Sequence, residues 1–310
     1  MAMPDRLDLR RQDLAAVYRP QREWIDGRGV LIVVAHFFSG VGAGAWLWST
    51  LYGFRLGQWL AFACVVALSG AAHLAFLGRM ERFWRILRRP HSSWISRGIW
   101  SIGVFAASAG AVLVFAGALP ELLLGLAQAL SLASAGAVLV YEGFVYAASR
   151  AIPFWHTKLL PLLYVAYGLR GGAALLLVAA ALGGAGFDVA TVEAVKLWVV
   201  VSTGVLILLL LLAGRRAGGA ARESVARLVA GGISPAFYGG PILVGLAVPI
   251  ALGLGQGALG VPERVVLGAL GAASLIGDFY VKYCIVKAGV YAPVVGARGV
   301  AAARTSARVV

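Results

Sequence analysis

Eight stretches of the chain are each long and apolar enough to cross a lipid bilayer, and no other feature constrains its fold as tightly. They run over residues 29–51, 57–77, 98–119, 122–148, 157–182, 192–213, 237–255 and 265–286. Crossing the hydrocarbon takes about 20 mostly apolar residues in a helix. In that medium every backbone N–H and C=O must find an internal partner, which leaves only helices and closed barrels. Runs of this length predict an all-α membrane protein, an eight-transmembrane-helix bundle. The composition agrees: 61% of residues are hydrophobic and 13% charged, outside the range of a soluble domain. Pro241 and Pro249 interrupt the seventh stretch. Residues 1–28 are expected to be a cytoplasmic N-terminal segment, 29–288 the transmembrane domain and 289–310 a cytoplasmic tail. Residues 1–28 lack the short basic start, apolar core and small-residue cleavage site of a secretory signal, so the first helix is expected to stay in the membrane.

Basic residues orient such a bundle. The net charge is +14, from 27 Lys and Arg against 13 Asp and Glu. Eight spans place the polar segments alternately on two sides, with both termini on the same one. That side holds 22 of the 27 basic residues; Arg55, Lys196 and Arg264 fall opposite, and Arg170 and Lys282 lie inside spans. Excess Lys and Arg mark the cytoplasmic face. Both termini are therefore expected to be cytoplasmic, in the inner membrane of a prokaryote, and nucleic acid is not expected as a partner. The longer connections also lie on the basic side, so a docking surface for a soluble partner is expected there. The connection over 77–98, LGRMERFWRILRRPHSSWISRG, carries five arginines before the third span, and Arg97 opens that span. Its candidate docking residues are Arg79, Arg82, Arg85, Trp94 and Arg97.

Two cysteines, Cys64 and Cys284, both lie in apolar spans. That is too little sulfur for a disulfide scaffold or a cysteine-ligated cluster, and no nucleotide or metal motif appears. The 41 glycines concentrate in the spans, as at Gly40, Gly42 and Gly44, or Gly168, Gly171 and Gly172. Small residues at helical spacing let backbones approach closely; bare backbone also leaves room for a flat ligand. Trp48, Tyr52, Trp59, Trp94 and Trp155 lie near span ends and read as interfacial anchors.

An ionisable side chain near the bilayer centre costs about 2.5–3.5 kcal/mol on insertion scales, so each one needs a reason. The spans hold His36, His73, Glu142, Arg170, Asp278 and Lys282. Counted from the basic side, Arg170 and Asp278 lie near the middle and the other four in the inner half. One arrangement neutralises them locally: Asp278 with Lys282, four apart on one helical face, Glu142 with Arg170 across the bundle, and the histidines on backbone carbonyls. Another gathers them into a polar pocket that holds the oxygens of a quinone, with histidine and carboxylate relaying protons. Two membrane histidines also raise a b-type haem, which needs imidazoles facing each other across helices. A secondary transporter is a further alternative, against which the absence of an internal repeat counts.

Four pieces, in order, resemble the membrane-anchor subunits of the polysulfide reductase and dimethyl sulfoxide reductase type, the NrfD-like family. They are LIVVAHFFSGVGAGAW over 31–46, the basic connection over 77–98, GAVLVYEGFVYAASRAIPFWHTKLLP over 136–161, and residues 280–293. The second is similar to the family pattern LGRPxRFW…SWxSRG, with Met80 in place of the proline. In one branch a histidine precedes LG where this chain has Phe76; His73 lies one turn earlier. The resemblance implies an integral membrane anchor with no catalytic cofactor of its own. Its partners would be a four-cluster iron–sulfur subunit and a molybdopterin catalytic subunit, as in anaerobic respiration. It also implies menaquinone or ubiquinone bound near the docking face, without haem, with His36, Tyr141 and Glu142 in the quinone region. The expected quinone-binding and proton-transfer residues are thus His36, His73, Tyr141, Glu142, Arg170, Asp278 and Lys282, with no metal site.

Overall fold

The computed structural model describes residues 18–183, 189–255 and 260–292. The remainder of the N-terminal segment and of the tail, with the arginines expected there, lies outside the described residues. Among the described residues, eight helices are long and apolar enough to cross a membrane. They are α1 (Gly27–Leu51), α2 (Arg55–Phe76), α3 (Trp94–Phe115), α4 (Glu121–Ala147), α5 (Leu159–Gly183), α6 (Val200–Ala217), α8 (Ser234–Gly255) and α9 (Glu263–Ala288). Between the sixth and seventh spans lies a short helix, α7 (Gly219–Val229). The expected bundle is present, with span ends moved by a few residues; the helix that holds the sixth span runs over Val189–Ala217. Glu121 and Glu263 open α4 and α9 directly after Pro120 and Pro262. Proline suits a helix start, and a carboxylate there faces the positive end of the helix dipole.

The centre of the bundle is the contact between α1 and α5. Hydrocarbon gives two apolar helices no water-driven reason to associate, so backbone approach must supply the packing. Here each helix carries a glycine pair four residues apart. A Cβ added at Gly44 would overlap the Gly168 carbonyl, and one at Gly172 would overlap the backbone of Gly44 and Ala45. One at Gly168 would lie 3.1 Å from the Gly40 carbonyl oxygen. Gly42, on the other face of α1, sits 2.7 Å by the same measure from the Ala61 carbonyl oxygen of α2. Of the two roles open to these glycines, packing is the one they take. Gly245 and Gly277 bring α8 and α9 together in the same way.

Two spans leave α geometry. α2 forms π turns over Ala63–Ser69, and α8 over Tyr238–Ala247 with Pro241 inside. Pro241 has no N–H to give, and a π turn absorbs that loss without ending the helix. The seventh span therefore continues through its proline and glycines.

The basic face is closed by a clasp. β1 (Arg19–Pro20) pairs antiparallel with β2 (Val290–Tyr291), Arg19 opposite Tyr291. The two ends of the bundle thus meet on one face, as an even number of spans requires. The last carbonyls of α9 have no partner within the helix. Gln21 Nε2 donates to Val286 O at 2.5 Å and Trp155 Nε1 to Ile285 O at 3.0 Å. Trp155, expected as an interfacial anchor, is fully buried because its indole N–H serves that carbonyl.

Replacing Gly44 by Val forces a branched side chain into the Gly168 backbone. The expected cost is about 1–3 kcal/mol or more, the range for overpacked cores. Thermal unfolding of the purified chain in detergent reads it. Gly103, with nothing within 4 Å of an added Cβ, serves as control, and Gly103→Val should melt like the parent. Equal melting of both variants would contradict the packing role.

Candidate functional site

The basic connection is an ordered element with two faces. A 3-10 helix over Met80–Arg88 lies along the start of α3. Its Phe83 and Ile86 are half-buried, whereas Arg82, Trp84, Arg85 and Arg88 are exposed. Its carbonyls find partners on α3. Ser96 Oγ donates to Ile86 O, Trp100 Nε1 to Leu87 O at 3.1 Å, and Arg97 to Pro90 O and His91 O at 2.8 and 2.7 Å.

Beneath this segment lies a cavity of about 380 Å³, walled by α1, the end of α2, the start of α3 and α4. Trp24, Phe76, Phe83, Ile86 and Ile95 supply apolar wall, and Glu23 stands at its outer edge. The Glu23 carboxyl is held below the usual carboxylate range, first by its own backbone N–H and that of Arg22. Within the spans, the polar groups on the wall are His36, His73 and Tyr141.

Each is held by the element it stands on or a neighbour. His36 Nδ1 bonds the Tyr146 hydroxyl at 2.9 Å, so its other nitrogen is left for further contacts. His73 Nδ1 bonds the Ser69 carbonyl at 2.9 Å, at the end of the π turns in α2. The two imidazoles lie 5.7 Å apart between centroids, and the Tyr141 ring is 5.7 Å from His36. The Tyr141 hydroxyl is buried beside the Ser39 hydroxyl, and its residue lines the cavity.

Glu142 and Lys282 stand behind that wall. Lys282 Nζ donates to Glu142 Oε2 and to the His36 carbonyl oxygen, both at 2.6 Å, and Ser39 Oγ donates to Glu142 Oε1 at 2.6 Å. Lys282 is 3% exposed and Glu142 0%. A Cβ on Gly40 would lie 2.7 Å from Lys282 Nζ, so the bare backbone of α1 makes room for this pair. Arg170 and Asp278 form a second pair, Nε to Oδ1 at 3.1 Å, each 1% exposed. Arg170 also donates to Thr203 Oγ1 at 3.1 Å and to the Gly245 carbonyl within the π turns of α8.

Of the seven expected site residues, His36, His73 and Tyr141 come together on the cavity. Glu142 and Lys282 reach it through the backbone of His36, and Arg170 and Asp278 do not line it. Neither expected local pairing forms: Lys282 meets Glu142 instead of Asp278, and Arg170 meets Asp278 instead of Glu142. Each long cation reaches a carboxylate on another helix, which ties two helices together. Among the docking candidates, Arg79, Arg82 and Arg85 are exposed, with Arg82 4.0 Å from Glu81. Trp94 stacks on Phe144 at 4.3 Å, and Arg97 lies over Trp94 while holding the two loop carbonyls. Both are occupied in fixing the segment. Tyr146, Ser39 and Trp24 are site residues that sequence reasoning passed over. Spacing alone offered a signal for the first two, four residues after Glu142 and three after His36.

The sequence model of one family, described as polysulphide reductase, NrfD, matches residues 28–293. No curated protein matches the chain.

Lys282→Met leaves a buried carboxylate without its cation. Breaking one partner of such a pair costs about 3–5 kcal/mol, so a clear drop in melting temperature is expected. Lys282→Met combined with Glu142→Leu removes both charges and should recover most of it. A double variant no more stable than Lys282→Met would show that the pair does not carry the effect.

Proposed function

The chain belongs to the polysulphide reductase NrfD family, and from that premise we propose that it binds a quinone or quinol in the cavity beneath its basic face. The family consists of membrane subunits of polysulfide reductase-type complexes, which work with catalytic and iron–sulfur subunits. In the proposed assembly an iron–sulfur subunit, itself serving a molybdopterin subunit, docks on the basic face and exchanges electrons with the bound quinone.

One observation carries this reading: a cavity lined almost wholly by apolar side chains, with His36, His73 and Tyr141 as its polar groups within the spans. Ligand sites of this kind combine apolar walls with a few placed polar groups. A quinone is a flat apolar ring with two carbonyl oxygens. Imidazole N–H and phenolic O–H donate to such oxygens, and Trp24, Phe76 and Phe83 offer aromatic surface for the ring. When bound, the quinone supplies two-electron, two-proton chemistry. The chain's part is to hold and protonate. Tyr146 fixes the His36 ring through Nδ1, and imidazole is the side chain suited to pass protons near neutral pH. Lys282 grips the His36 carbonyl, so the Glu142 pair sets the position of that stretch of α1. Arg170 and Asp278 hold the bundle on the far side and take no part at the ring.

Arg79 and Arg82 stand on the exposed side of the loop, Arg82 beside Glu81, and they present the docking charge. Both termini face the cytoplasm in this reading, in keeping with the Lys and Arg excess on their side. No haem is invoked.

In the assembled complex, His36→Ala should lower quinone-coupled turnover by about a hundredfold, the scale of a lost proton-transfer group. Tyr141→Phe should lower it several-fold, as for one lost hydrogen bond, about 1 kcal/mol. Dye-linked activity of the soluble subunits should stay at the parental level in both. Quinone turnover unchanged in both variants would reject the cavity. The purified chain should also show no Soret band, and a reporter fused at the C-terminus should be active only in the cytoplasm; the reverse result in either case overturns that element of the reading.

A further inference from the structure

The outward side of the basic connection carries a charge cluster that the quinone reading does not use. Arg85, Arg88 and Arg89 line a recess of about 580 Å³. Arg85 and Arg88 set their guanidinium carbons 5.7 and 5.3 Å from the centroid of Trp84, whose ring is 51% exposed. Among the described residues, the carboxylate paired in this segment is Glu81, and it goes to Arg82. The three arginines of the recess are paired with none. A tryptophan face orients cations beside it, and three guanidiniums on one recess supply the planar donor forks that suit phosphate.

The depth of the cluster decides what it meets. The Leu87 carbonyl is bonded by Trp100, six residues beyond the first residue of α3, about 9 Å along the helix axis. Ser96 holds the Ile86 carbonyl in the same way. The segment therefore folds back along the first turns of a membrane helix and does not stand above it. Trp100 is itself 50% exposed, and an exposed indole on a span belongs at the membrane interface. Arg88 and Arg89 follow Leu87 directly. They therefore flank the first turns of α3, the part of a span that meets lipid headgroups.

We propose that Arg85, Arg88 and Arg89, with Trp84, form a binding site for the phosphate of an anionic phospholipid at the rim between α2 and α3. Basic residues at this depth attract anionic headgroups. Phosphatidylcholine has the same phosphate but no net charge, so the site should select phosphatidylglycerol or cardiolipin over it. The lipid would also pin the segment whose inner side, through Phe83 and Ile86, roofs the cavity.

The full-length chain, purified in mild detergent after incorporation into bilayers of phosphatidylglycerol with phosphatidylcholine, should retain phosphatidylglycerol in native mass spectra. The variant Arg85→Gln/Arg88→Gln/Arg89→Gln should lose that retention by about a hundredfold, with its melting temperature unchanged. Lysine at all three positions keeps the charge and should restore most of it. Should the triple glutamine variant fail to fold, Arg88→Gln alone is expected to weaken retention several-fold. Equal retention by parent and glutamine variants overturns the proposal, as does retention of phosphatidylcholine as strong as that of phosphatidylglycerol. Displacement of the lipid by millimolar inorganic phosphate would mark a free-anion site instead. Loss of the soluble partner with lipid retention intact would mark a protein surface.

Discussion

Where α1 meets α5, two glycine pairs replace side-chain packing with backbone contact, and the remaining interactions are arranged around that approach. Gly40 and Gly44 face Gly168 and Gly172. With α1 this close to α5, successive residues of α1 reach different neighbours. His36 meets Tyr146 and Ser39 meets Glu142, both on α4, and Gly40 gives way to Lys282 of α9. A larger residue at position 40 would occupy the place of the ammonium group. Helix approach and charge placement are in this sense one constraint, met by the absence of a side chain.

The two buried ion pairs follow the same logic. Removing charges from water is costly, and only close pairing with further hydrogen bonds offsets it. Asp278 and Lys282 share a face of α9, and pairing them with each other would have satisfied both. It would have joined nothing. As arranged, Lys282 ties α9 to α4 and to the backbone of α1, and Asp278 ties α9 to α5. Arg170 adds Thr203 of α6 and the Gly245 carbonyl of α8. Five of its spans are thereby linked to α9 by polar contacts in a medium where dispersion alone gives little orientation. The π turns contribute as well, since each of the two offers a carbonyl to an ionisable side chain, Ser69 to His73 and Gly245 to Arg170.

The bundle was legible in the sequence because span length and loop charge are properties of contiguous residues. Eight apolar runs and a basic excess on one side can be read without knowing any contact. Depth was legible too, by counting residues from the basic side, which is why His36 and His73 could be gathered beneath one face, whereas Tyr141 entered only through the family resemblance. Lateral position was not. Whether Lys282 turns to Asp278 or to Glu142 depends on which helices are neighbours and how each is rotated, and a run that is apolar all round carries no periodicity to report rotation. Trp155 shows the same limit. Its place near a span end suggested an interfacial anchor, and only the proximity of α9's last turn, far away in sequence, gives its indole a carbonyl to cap. The π turns were marked by Pro241 in one helix and by nothing in the other.

Access to the cavity can be argued from what holds its walls. The upper wall is fixed, because α3 side chains bond the carbonyls of residues 86, 87, 90 and 91. The inner wall is fixed by the Glu142–Lys282 pair and by Tyr146. The N-terminal side is held by the strand pairing and by Gln21 on the end of α9. What remains is the side between the end of α2 and the start of α3, where Phe76, Leu77, Ile95 and Ile99 line the cavity and Ile95 is 45% exposed. No hydrogen bond or ion pair among the described residues crosses there between the side chains of α2 and α3, and the surface is apolar. A ligand arriving from the bilayer loses no hydration on that route, whereas one arriving from the aqueous side must displace a hydrogen-bonded roof. In the proposed reading the ligand's ring passes inward at this seam toward His36, and its hydrocarbon tail stays along Ile95 and Ile99 in contact with lipid.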